Sequence, residues 1–197
     1  SQALVASVAS AHRIPFVVIP AGTRNHFALD LGIDREDVAG ALDAYRDGVD
    51  VTVDLAEVNG TVFVNNAAMG VYAKIVQSEG YREAKIQTTA AVLPELLGPE
   101  AGSADLHLTL PSGEELEADQ LLLISNNRYR LEHLRGGGRR SRLDAGVLGV
   151  ASLTVTGPAD LHALAALELA GRIGEFRGLH EWTTAEVEVR SPRPVEI

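Results

Sequence analysis

Residues Ile14-Pro15-Phe16-Val17-Val18-Ile19 form a continuous apolar run dominated by β-branched and aromatic side chains. A run without polar alternation is typical of a strand buried on both faces, as in a parallel sheet. Such a strand needs a layer on each side, so it constrains the fold strongly. Before it, Leu4, Val5, Val8 and Ala11 have helical spacing and predict a helix over residues 2–12. After it comes Pro20-Ala21-Gly22-Thr23-Arg24-Asn25, a turn-forming stretch, and then a short helix from His26 to Leu31 that closes at Gly32. A further helix is predicted with Asp34 as N-cap and Asp37 three residues on. Val38, Leu42 and Tyr45 sit at i, i+4 and i+7, and Gly48 ends it. Residues 1–48 therefore read as the tail of an α/β unit. One strand cannot make a sheet, and its partners are not obvious later in the chain.

From Val49 the pattern changes. Val51, Val53 and Leu55 alternate, Asn59-Gly60 makes a turn, and Val62 and Val64 alternate again. Asn-Gly between alternating runs is the strongest short hairpin signal. Residues 105–110 and 115–124 predict another strand pair around Pro111-Ser112-Gly113, with further strands over 147–156 and 185–190. Two helical insertions interrupt: 69–97, with a break at Pro94, and 158–170, with Pro158 near N1 and Gly171 as the stop. The predicted class is α+β: an α/β tail over 1–48, then an antiparallel β-sandwich with helical insertions over 49–197. Both ends read as cut, since Val195 looks like the start of another strand.

Charge and composition narrow the function classes. The formal net charge is −10, so a general nucleic-acid binder is excluded. Against that background, six arginines (128, 130, 135, 139, 140, 142) lie close together with one acid, Glu132. That segment reads either as a surface for phosphates or anionic lipid, or as a solvated loop made mobile by its glycines. The 197 residues contain no cysteine, which excludes a disulfide scaffold, a cysteine-based zinc site and a cysteine nucleophile. It also fits a reducing compartment, and the expected location is cytoplasmic. No run approaches a membrane span and the start has no basic n-region. The six histidines show no metal-binding spacing, and G-x-S-x-G does not occur.

The segment from Ile14 to Ile33 carries most of the chemistry. A small loop at the C-terminal end of a sheet strand can bring backbone N–H groups, a hydroxyl and an amide to a ligand, and a following helix N-terminus favours phosphate. Read locally, the same residues also fit a plain strand-to-helix turn, with Gly22 for backbone freedom and Asn25 as cap.

Pro20-Ala21-Gly22-Thr23-Arg24-Asn25-His26-Phe27-Ala28 resembles the P-x-G-T-x-N-D-F-A signature of the diacylglycerol kinase catalytic superfamily, which also includes sphingoid-base kinases and bacterial lipid kinases. Val53-Asp54-Leu55 with Val58-Asn59-Gly60 resembles its V-D-x-x-x-V-N-G turn, and Phe63 to Gly70 its F-x-N-x-A-x-x-G segment. Gly136-Gly137-Gly138 and then Leu143 to Val150 resemble its glycine-rich stretch and D-D-G-L-L-D-V motif. The four matches run in family order over residues 14–150.

The resemblance implies an α/β nucleotide domain followed by a β-sandwich. It implies ATP-dependent phosphorylation of a lipid hydroxyl, with magnesium required and Gly22, Thr23 and Asn25 beside the nucleotide. The partner would be a lipid at a membrane surface, reached through the whole protein. Two family segments do not occur in this sequence: the G-G-D-G-T phosphate loop and the D-G-E segment with the implicated base. No catalytic residue is therefore assigned within the chain, and the isolated chain is expected to be inactive. His26, Ala145 and Gly149 stand where the family has Asp. Asp144 is the remaining candidate metal ligand, and alone it makes a poor magnesium site because the ion favours octahedral oxygen ligation. Two other readings stay open: a non-catalytic lipid-, nucleotide- or protein-binding module of a degenerate kinase, and a soluble kinase of the NAD kinase type. A strand at 14–19 without its sheet would also expose edges for homodimerisation.

Overall fold

The computed structural model describes residues 2–22, 25–70, 93–94, 97–98, 105–118, 120–134, 137–195 and 197. The fold is α+β. Helix α1 (Gln2–His12) and the short α2 (His26–Asp30) flank the loop at 20–25, and a 3₁₀ turn (Gly40–Asp43) leads into α3 (Ala44–Asp47). Among the described residues of the remaining chain, the paired strands are all antiparallel.

Strands β1 (Ala56–Val58) and β2 (Thr61–Phe63) form the hairpin that the Asn-Gly pair predicts. Asn59 and Gly60 have φ of 47° and 82°, the double positive φ of a type I′ turn. A four-stranded sheet has the order β10-β9-β6-β3, from β3 (Asn66–Gly70), β6 (Leu121–Asn126), β9 (Leu148–Leu153) and β10 (Leu179–Thr184). A three-stranded sheet has the order β11-β4-β5, from β4 (Leu106–Thr109), β5 (Glu115–Ala118) and β11 (Glu188–Arg190). Strands β7 (Tyr129–His133) and β8 (Gly137–Arg140) pair with each other. The last helix, α4 (Pro158–Ala170), starts with Pro158 at its first turn. It ends at Gly171, with φ 68°, whose left-handed cap lets the Arg172 N–H reach back to the Leu167 carbonyl.

Every residue of β6 is buried, and its period of two splits the core. Leu121 and Leu123 face α4, meeting Leu164, Ile173 and Phe176. Leu122 and Ile124 face the other sheet, meeting Leu106, Leu108 and Ala118. A third cluster ties the N-terminal segment to later parts of the chain: Ala6, Val18, Phe27 and Ala28 pack with Val64, Leu55 and Leu143.

Several sequence expectations change. Residues 14–19 are not a strand buried on both faces. Ile14 is 56% exposed, and among the described residues no strand pairs with the run. Phe16 and Val18 pack into the third cluster, but a strand exists through its neighbours' N–H and C=O groups, and the run has none among the described residues. The helix expected over 34–48 is broken into a 3₁₀ turn and one short α-turn, with Val38, Leu42 and Tyr45 exposed. Asp34 holds the Glu36 N–H in a local turn instead of capping a helix. In α1, Ala6 and Ala9 are the buried residues, while Leu4, Val5 and Val8 face out. The run at 115–124 is two strands in two sheets, and Met69 and Gly70, expected in a helix, belong to β3. The remaining residues to 92 of that expected helix lie outside the described residues. Strand β10 has no counterpart among the sequence expectations.

Candidate functional site

The loop before α2 closes on itself through one side chain. Asn25 Oδ1 accepts the Gly22 N–H at 2.9 Å, and Asn25 Nδ2 donates to the Pro20 carbonyl at 2.6 Å. Asn25 sits in the left-handed region, φ 45°, which asparagine tolerates better than most residues. A Cβ on Gly22 would lie 3.0 Å from Asn25 Oδ1, so the loop is tight enough to favour glycine there. Gly22 is exposed and Asn25 half-buried. Asn25 is therefore the clasp of the loop, and Gly22 is exposed with its N–H held by that clasp. Thr23, the third residue expected beside a nucleotide, lies outside the described residues.

Helix α2 turns the loop inward by burying Phe27 and Ala28. It ends at Asp30, whose carboxylate meets Arg140, the last residue of β8. Arg140 Nε and Nη2 both reach Asp30 Oδ2, at 2.8 and 2.7 Å. The Arg140 side chain is 1% exposed. Arg140 Nη1 donates to the Val64 carbonyl at 2.5 Å and to the Asn126 carbonyl at 3.1 Å, and Nη2 also donates to Asn65 Oδ1 at 2.9 Å. The guanidinium has five N–H donors, and each has an acceptor here. One arginine of the basic segment is thus a buried structural cation. Sequence reasoning misses it, since nothing in the local pattern separates Arg140 from Arg139.

A second loop, residues 143–146, is held from three directions. Asp54 Oδ2 accepts the Gly146 N–H at 2.7 Å and the Asn127 Nδ2 at 3.0 Å. Asn127 Oδ1 accepts the Ala145 N–H at 2.8 Å, and the Asp54 N–H donates to the Leu143 carbonyl at 2.6 Å. Asn126 Nδ2 donates to the Asp54 carbonyl at 2.6 Å. Asp54, which in sequence reads as a strand-and-turn residue, is a loop clamp. Asn126 and Asn127 are buried, and no local sequence signal marks them.

Asp144 points elsewhere. Its carboxylate accepts Arg142 Nε at 3.0 Å, and that bond holds its pKa below the usual aspartate value. Arg142 thus occupies one of the two Asp144 carboxylate oxygens. Among the described residues no group of three or more His, Cys, Asp or Glu could hold a metal. The donor set at Asp144 does not fit magnesium. Gly149 is enclosed as well: a Cβ there would lie 2.7 Å from Ser125 Oγ and 2.8 Å from the Arg128 Cα. Arg128 and Asn127 therefore close the space where the family's aspartate would stand.

A cleft of about 920 Å³ opens beside Asp54, between the first hairpin and the two sheets. Phe63, Met69, Leu106, Ile124 and Val189 line its apolar wall. Its polar lining includes Asp54, Glu57, Glu186 and Glu188, against one cation, Arg193.

Residues 1–58 match the diacylglycerol kinase catalytic domain. The chain is similar to the diacylglycerol kinase of Bacillus subtilis (strain 168), at 49% identity over 53 residues. Residues 1–58 belong to the diacylglycerol kinase catalytic-domain superfamily. That match covers 27% of this chain and 18% of the Bacillus subtilis protein. The fold extends the likeness. A diacylglycerol kinase structure from Bacillus anthracis str. Sterne superposes with a TM-score of 0.61 at 20% identity, over 90% of this chain and 58% of that one. A further Bacillus anthracis structure assigned to the same kinase family gives 0.66 at 18% identity, over 93% and 61%. Those identities carry the fold alone, and the chain spans about three fifths of the solved chains it matches. Among the described residues, no helix is long and apolar enough to cross a membrane.

Proposed function

We propose that this chain supplies one wall of the nucleotide site and the lipid-facing sandwich of a diacylglycerol-kinase-type enzyme. In the whole protein the γ-phosphate of ATP would pass to a lipid hydroxyl. The observation that carries this reading is the loop clasped by Asn25 inside the kinase-family segment, with Gly22 exposed beside the clasp. Phosphoryl transfer asks mainly for positioning and charge neutralisation. The Asn25 bonds to Pro20 and Gly22 supply the first. The acidic lining of the 920 Å³ cleft favours a neutral lipid over an anionic one, and its apolar wall suits an acyl chain. Among the described residues none is assigned as general base for the lipid hydroxyl, and in this reading the chain alone has no turnover.

The test is direct. The purified chain is mixed with labelled ATP and diacylglycerol in detergent micelles, and binding of an unhydrolysable ATP analogue is titrated separately. Saturable nucleotide binding without turnover is expected. Turnover by the chain alone would overturn its inactivity.

A second reading is a non-catalytic lipid-binding module. The pairing of Asp144 with Arg142 and the enclosure of Gly149 favour it, because both leave the motif without its acids. Saturable diacylglycerol binding with no nucleotide binding would select it.

A further inference from the structure

We propose that Arg140 is a positioning residue that sets the loop at 20–25 against the loop at 143–146. The functional part of this inference rests on the first loop facing the nucleotide. Helix α2 has five residues and no side-chain cap, so it cannot hold its own direction. Asp30, at its end, is fixed by Arg140 twice over: the side chain bonds Oδ2, and the Arg140 backbone N–H bonds Oδ1 at 3.3 Å. Phe27 lies under the same guanidinium, 6.0 Å from ring centre to Arg140 Cζ.

From there the hydrogen bonds run on without a gap. Arg140 Nη1 holds the Asn126 carbonyl, Asn126 Nδ2 holds the Asp54 carbonyl, and Asp54 Oδ2 holds the Gly146 N–H. Asn127 completes the bridge by holding both Asp54 and the Ala145 N–H. One planar cation thus connects the two loops that the kinase motifs mark. Lysine cannot replace it, since an ammonium group has three donors and no fork to span Asp30, Val64, Asn65 and Asn126 together.

The test uses the full 197-residue chain. Asp30→Asn and Arg140→Lys are compared with Leu164→Ala, which disturbs the core beside α4. An unhydrolysable ATP analogue is titrated by calorimetry, and amide hydrogen exchange is followed on the same proteins. Arg140→Lys and Asp30→Asn are each expected to weaken the analogue about tenfold, while Leu164→Ala leaves its affinity unchanged. Exchange should speed up at residues 21–22, 25–31 and 143–147 together in those two variants and not in Leu164→Ala. Wild-type affinity in both variants, or an equal loss in Leu164→Ala, would overturn the inference. If the wild type does not bind the analogue, the nucleotide reading fails by itself. Hydrogen exchange then decides the positioning role: joint loosening of the two loops supports it, and loosening of one loop alone overturns it.

Discussion

Two stretches of this chain look alike in sequence and differ in structure. Ile14 to Ile19 and Leu121 to Ile124 are both continuous apolar runs. The second is the central part of a sheet. It pairs with β3 on one side and β9 on the other, and buries one face against α4 and the other against the three-stranded sheet. The first is unpaired among the described residues, with Phe16 and Val18 packed and Ile14 open to solvent. The difference shows that an apolar run is permission to be a strand. Neighbouring strands on both edges turn that permission into structure.

The comparison breaks most visibly at Leu122, which is fully buried. Leu122→Ala should cost about 2–5 kcal/mol, because the two sheets leave little room to collapse onto the void. Urea titration would measure it. A loss under about 1 kcal/mol would mean that β6 is not the centre of the core. Gly149 comes next. Gly149→Ala puts a methyl group against Ser125, Asn127 and Arg128, and should cost about 1–3 kcal/mol. The same substitution sharpens the functional argument, since an unchanged stability would mean that a side chain fits where the structure shows none.

Helix α4 covers one face of β6, so its first turn bears on the same comparison. Asp160 accepts the Thr156 N–H and hydroxyl and is paired with Arg177, which together hold its carboxyl at about 2, below its ordinary 3.8. The folded-state pKa is the lower one. The contribution is therefore complete above about pH 4 and is lost as pH falls through about 2. Thermal melts between about pH 5 and pH 2 should show the wild type losing stability faster than Asp160→Asn. Parallel curves would contradict the pairing.

Much of the fold is legible where the local signal is self-sufficient. Asn59-Gly60 specifies its own turn, and Pro158 with Gly171 brackets its own helix. The loop at 20–25 can be found because its residues sit together in sequence. Arg140, Asn126 and Asn127 cannot, because their roles come from partners far along the chain: Asp30 is 110 residues from Arg140, and Asp54 is 73 from Asn127. The stripe of Val38, Leu42 and Tyr45 has helical spacing, yet its residues lie exposed along a broken helix. Periodicity shows which residues share a face and leaves open whether anything covers it.

The smallest expected effect lies in the unpaired run itself. Ile14 is 56% exposed and Val18 6% exposed, on the same short extended segment. Replacing Ile14 by alanine removes little that is shielded from water, so stability should change by no more than about 0.5 kcal/mol. Val18→Ala should cost more, because its methyl groups meet Phe27, Ala28 and Val64. Equilibrium unfolding of the two variants in parallel gives the contrast. If Ile14→Ala costs as much as Val18→Ala, the start of the run is covered in solution and the contrast with β6 weakens. If the ordering holds, the run is buried only toward its C-terminal end, whereas β6 is buried along its whole length.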